Sequence, residues 1–105
     1  MKIRIIEGTE IKLNIHHDPI DGLTMDDYDF EVSLYCSPRK TVVVSKADLR
    51  REDENNYIVT LDTAEVGSGD LKCRTTSYIP DGDFPDSLRT EIVEIDTEMT
   101  IVKRI

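Results

Sequence analysis

The chain has 105 residues and a formal net charge of −9, from 22 acidic against 13 basic side chains. That length accommodates one domain, residues 1–105, around a single core. The charge repels phosphate backbones and anionic bilayers, which argues against nucleic acid or an acidic membrane surface as a partner.

No apolar run approaches the ~18 residues that span a bilayer. The opening M-K-I-R-I-I-E-G is too short of apolar residues for a signal peptide. The chain is therefore expected to be cytoplasmic at synthesis.

Period-two alternation dominates in chain order, and no long window holds a helical period. Residues 2–6 put Ile3 and Ile5 on one face, and residues 10–15 do the same with Ile11, Leu13 and Ile15. A two-residue loop between them would send these rows to opposite faces. We therefore expect either an odd-length loop with Gly8 in a left-handed conformation or a first strand that joins the other sheet.

Residues 30–37 alternate cleanly, with Phe30, Val32, Leu34 and Cys36 inward, and 41–45 follow after the turn S-P-R-K. Residues 45–49 suit one helical turn, and 50–56 read as a polar loop. After the strand 57–61, D-T-A-E has the spacing of a capping box, with Gly67 placed to end a single turn. Strands at 71–79, 89–95 and 97–103 complete a set of eight, separated by turn signals. The expected fold is an all-β antiparallel sandwich. Its expected core residues include Ile5, Leu13, Phe30, Val32, Leu34, Val43, Val59, Leu61, Leu71, Cys73, Val93 and Ile101.

Catalytic motifs are not found. The sequence has no C-x-x-C, H-E-x-x-H, G-x-S-x-G or G-x-x-x-x-G-K. His16 and His17 are adjacent and point to opposite sides of an extended chain, and with Asp18 and a cysteine they match no familiar zinc spacing. A carbohydrate platform lacks its usual material, because there is no tryptophan and the other aromatics are scattered. The two cysteines, Cys36 and Cys73, read as small apolar thiols inside strands, with a disulfide open only if neighbouring strands bring them opposite each other.

Charge placement is more informative. Between Asn14 and Ser37 there is no lysine or arginine, yet Asp18, Asp21, Asp26, Asp27, Asp29 and Glu31 all fall there. A second cluster, Asp81, Asp83 and Asp86, sits in I-P-D-G-D-F-P-D-S-L-R. In immunoglobulin-like strand order these are the B–C and F–G loops, which emerge at the same end.

Three readings of the resulting acidic tip stay open. The aspartates of loops 16–29 and 80–88 can supply oxygens to calcium, although the second loop lacks an EF-hand's later glycine and terminal glutamate. The tip can face a protein, with Ile20, Met25 and Phe84 as anchors beside Arg89. Or the aspartates form turns and keep the tip soluble, with Arg89 folding back on Asp86 or Asp83.

The run N-N-Y-I-V-T-L-D-T-A-E-V-G-S-G-D-L-K-C-R-T-T-S-Y-I-P-D resembles the E strand, corner and F strand of an immunoglobulin-like domain. Asp62, Gly69 and Cys73 match the corner aspartate, glycine and inward F-strand position, while Leu71 stands where a corner tyrosine is usual. With the leading strand pair and the K-A-D-L segment, residues 30–94 are similar to small accessory sandwiches of phage and prophage tails and baseplates. The resemblance implies a non-enzymatic structural or adaptor role in an oligomeric assembly, with protein partners or homo-oligomers and no catalytic residues. It also implies incorporation into a virion or tail structure.

Overall fold

The computed structural model describes residues 2–105; Met1, at the edge of the expected domain, lies outside the described residues. The chain forms strands β1 (Ile3–Ile6), β2 (Glu10–His16), β3 (Asp29–Tyr35), β4 (Thr41–Ser45), β5 (Arg50–Asp53), β6 (Asn56–Asp62), β7 (Gly69–Pro80) and β8 (Leu88–Val102). They make two sheets, β1-β8-β7-β3-β4 and β2-β6-β5. The fold is all-β.

Register explains the core. In the larger sheet Leu34 lies opposite Cys73 and Val42, and Val32 opposite Thr75 and Val44. In the smaller sheet Ile11, Leu13 and Ile15 lie opposite Leu61, Val59 and Tyr57. These rows meet face to face, with Phe30, Val32, Leu34, Leu71 and Ile101 almost wholly buried. Phe30 packs edge-on against Tyr57, with ring centroids 5.2 Å apart and planes at 89°, a favoured aromatic geometry. Ile5 and Leu13 are only partly buried at the margin.

Two expected core residues are not in the core. Val43 pairs with Ser33 on the outer face and is 58% exposed, because the inward residues of that V-V-V run are Val42 and Val44. Val93 points inward but remains exposed, because the smaller sheet does not extend over it.

The first strand joins the larger sheet, pairing parallel to β8 from Ile3↔Met99 to Ile6↔Val102. Residues 7–9 connect it to β2, with Gly8 at φ +99°. Two strand assignments differ from the sequence reading. Residues 50–53 form β5, although all four side chains are exposed and show no alternation, because their backbone pairs with β6. The expected strands 89–95 and 97–103 are one strand with a bulge: Glu98 adopts φ +63° and its N–H donates to Asp96 Oδ1 at 2.8 Å. The Thr97 hydroxyl donates to Leu71 O at 2.9 Å.

Both expected helical turns are 3-10 turns, at Lys46–Asp48 and Thr63–Glu65. Asp62 caps the second by accepting from Ala64 N at 3.0 Å, and Gly67 follows at φ +75°. Among the described residues no helix is long and apolar enough to cross a membrane.

Candidate interaction surface

The two acidic loops do converge, and Arg89 at the start of β8 bridges them. Its Nη1 donates to Asp81 Oδ2 at 2.6 Å, and its Nη2 reaches Asp21 Oδ2 at 3.2 Å and Glu91 Oε2 at 3.0 Å. Asp21 lies 68 positions away in sequence. The expected fold-back of Arg89 onto Asp83 or Asp86 is thus a fold-back onto Asp81, since Asp81 Oδ1 also organises the turn by accepting from Asp83 N at 3.0 Å.

The other aspartates are largely engaged in local structure. Asp26 accepts a forked pair of bonds from Arg51 and the Tyr57 hydroxyl at 2.6 Å. These contacts hold its carboxyl down at about 2, Arg51 being the larger cause. Asp27 caps Thr24 N at 2.8 Å, Asp29 accepts from Phe30 N, and Asp18 pairs with His16. Asp83 and Asp86 are exposed on the 81–87 loop. Among the described residues no three His, Cys, Asp or Glu side chains are grouped as a metal ion would require.

Of the expected protein anchors at the tip, Phe84 is 45% exposed. Ile20 packs partly against the core, its backbone bridged to Leu23. Met25 is fully buried and is no surface anchor. The loop folds over it: Met25 N donates to Glu54 O, and Lys46 Nζ donates to Tyr28 O at 2.8 Å.

A larger apolar surface lies along β8, at Val93, an expected core residue, and its neighbour Ile95. Val93 and Ile95 lie opposite Thr75 and Cys73, so both side chains are on the inward face. Yet they are 53% and 56% exposed, while Thr75 and Cys73 are buried. The smaller sheet stops at β2, which leaves this margin of the larger sheet uncovered.

The result is an open seam between β2 and β8. Leu13, Ile15, Cys73 and Ile95 line a groove of about 350 Å³. His16, His17, Thr75 and Val93 line a smaller recess of about 100 Å³ continuous with it. A depression of about 340 Å³ on the other face of the smaller sheet is walled by Glu10, Lys12, Asp62 and Glu65 and offers less apolar contact.

Comparison of the chain with family models, curated proteins and solved structures finds no match.

Both strands that border the seam have a free edge. β1 covers β8 only at Met99–Val102, so residues 88–95 have no strand partner on that side among the described residues. Among the described residues β2 is likewise paired only with β6. His17 N donates to Asn55 O, and Thr9 O accepts from Thr63 N. By alternation, Lys12, Asn14 and His16 direct their backbone groups to the free side.

Neither thiol has the setting of a reactive cysteine. Cys73 is pushed up to about 11 by burial alone. Cys36, just past the end of β3, directs Sγ to the carbonyls of Gly67 and Gly69 rather than to Cys73, and both are free.

The seam was visible in the sequence only as a conflict. The stretch E-I-V-E-I carries apolar residues of both parities, with Ile92 on the outer face at 62% exposure. A strand with one wet face carries them on one parity.

Proposed function

We propose that the chain is a non-enzymatic structural or adaptor module of a larger assembly, of the kind found in phage and prophage tails. The observation that carries this reading is a strand with an unpaired edge that exposes Val93 and Ile95 on its inward face and Ile92 on its outer face. Large apolar side chains clustered on a surface mark contact sites. Covering these three would contribute on the order of 3 kcal/mol before the costs of association.

The strand order supports an immunoglobulin-like sandwich. Strands β3, β4, β7 and β8 stand as C, C′, F and G in one sheet, and β2, β6 and β5 as B, E and D in the other. The first strand departs from the simplest form of that order by joining β8. The acidic tip supports the non-enzymatic reading, because Asp21, Asp26, Asp27 and Asp81 serve loop structure.

The test is the size of the native complex in lysate of the source cells. An adaptor elutes far above the 12.0 kDa of the free chain. Elution as a monomer at every concentration would refute the reading.

A further inference from the structure

We infer that the open seam accepts an extended segment of a partner protein, in which apolar side chains alternate with basic ones, as an added strand along residues 88–95 of β8. The inference rests on the adaptor reading and names the partner's chemistry.

Three observations support it. The first is the free edge itself: among the described residues, 88–95 carry a row of backbone groups with no partner strand on one side, and unpaired edges pair with extended chains. The second is the inward face. Side chains of an added strand that point inward would meet Val93 and Ile95, above the groove formed with Leu13 and Ile15.

The third is the segment already seated on this edge. β1 reads I-R-I-I and is preceded by Lys2. Ile5 lies opposite Ile101 and packs on the core, while Lys2 on the alternate parity pairs with Asp70 at 2.8 Å and Asp96 at 3.5 Å. Just past the bulge the same edge has Val93 and Ile95 inward and Glu94 and Asp96 outward, the two carboxylates already paired with Arg74 at 3.2 Å and Lys72 at 3.0 Å. Along residues 93–96 a strand laid in line with β1 therefore meets apolar positions on one parity and carboxylates on the other. Further along, Glu91 and Arg89 lie on the inward parity and Ile92 and Leu88 on the outward one.

Charge also argues against a second copy as occupant. Each chain carries −9, so a second copy brings an acidic surface to an acidic edge.

The test uses the ¹⁵N-labelled chain titrated with a synthetic peptide of about eight residues alternating lysine and valine, a length that spans this edge. The expected result is saturable shifts at residues 88–95 and at Leu13 and Ile15, with slowed exchange of the β8 amides. A lysine–serine peptide of equal charge should bind at least about ten-fold more weakly, and a glutamate–valine peptide not at all. Val93→Lys should weaken binding about ten-fold or more, since it sets a cation in the apolar groove. Val43→Lys, on the outer face of β4, should leave binding unchanged. Val93→Thr, which keeps the strand's β-branched shape, guards against a misfolded lysine variant and should weaken binding in the same direction.

Equal binding of the lysine–serine peptide, or shifts confined to Asp21 and Asp81, would overturn the inference as mere charge attraction. Shifts at residues 88–95 on concentrating the chain alone would make the occupant a second copy and also overturn it. A large native complex that survives Val93→Lys would sink the strand-docking inference and leave the adaptor reading standing. A monomer in lysate would remove the adaptor reading itself.

Discussion

Tyr57 Oη donates to Asp26 Oδ1 at 2.6 Å, joining β6 to the long acidic loop across 31 positions of sequence. Arg51 holds the same carboxylate from the neighbouring strand. The carboxyl is thus lowered from 3.8 to about 2, and the phenol is raised to about 12 by burial first and by Asp26 second. A lowered acid contributes stability that is complete above its unfolded value and disappears as pH falls through its folded one. We expect an Asp26-dependent loss of stability between about pH 4 and pH 2 in chemical denaturation. Asp26→Asn should lower the melting temperature at pH 7 and flatten that acid limb. A wild-type limb retained in the variant would contradict the assignment.

Arg89 gives a second expectation. Its guanidinium stands among Asp21, Asp81 and Glu91, so Arg89→Leu leaves three carboxylates without their shared cation. Amide exchange should accelerate in residues 17–28 and 81–87 together, since Arg89 is what ties one loop to the other. The variant's loss of melting temperature should be larger at low ionic strength, where repulsion is unscreened. Arg89→Lys, a point charge without the guanidinium fork, should recover part of the loss. Unchanged exchange in either loop would count against the bridge.

How much of this could be read from the sequence depends on whether a residue's role is set by its neighbours in the chain. Phe30, Val32 and Leu34 could be assigned because a strand with one buried face alternates, and their own segment shows it. The meeting of the two acidic loops followed from strand order, and Arg89 confirms it physically. β5 left no trace, since R-R-E-D is an exposed edge whose strand character comes only from pairing with β6. The cations that balance the long loop, Lys46, Arg51 and Arg89, all lie outside it in sequence, so the loop alone looked like an uncompensated cluster. Val93 was misplaced for a further reason: its inward orientation is local, but whether anything covers it depends on how far the opposite sheet extends.

His16 and His17 should respond to pH in opposite senses. His16 bonds Asp18 and Asn56, at 3.0 Å each, and is raised above 6.5, with Asp18 the larger cause. Its contribution is complete below 6.5 and is lost as pH rises through the folded value. His17, half-buried beside the Tyr28 hydroxyl, is lowered by burial first and by His16 second, with Glu91 opposing. Its neutral form is favoured, so its contribution is complete above 6.5 and declines as pH falls. We expect His16→Gln to remove stability mainly on the acid side of 6.5, and His17→Asn to remove it mainly on the alkaline side. NMR titration of the two imidazoles checks the order, and His17 titrating above His16 would reverse it.

The seam exists because β1 turns away from β2, and Thr63 fixes that turn. Thr63 is fully buried; its hydroxyl donates to Thr9 O at 2.8 Å and accepts from Gly8 N at 2.9 Å. Its own N–H donates to Thr9 O at 3.1 Å. Gly8 takes φ +99°, a conformation that costs glycine little, and the chain then leaves β2 for β8. Thr63→Val preserves the volume but leaves the Gly8 N–H without its acceptor, which should cost about 1–3 kcal/mol. Thr63→Ser keeps the hydroxyl and should recover most of that. The amides of Ile3–Ile6 should exchange faster in the valine variant than in the serine one, while those of β3 and β7 change only with global stability. Equal slowness of the β1 amides in both variants would show that pairing with β8 alone determines the path of the first strand.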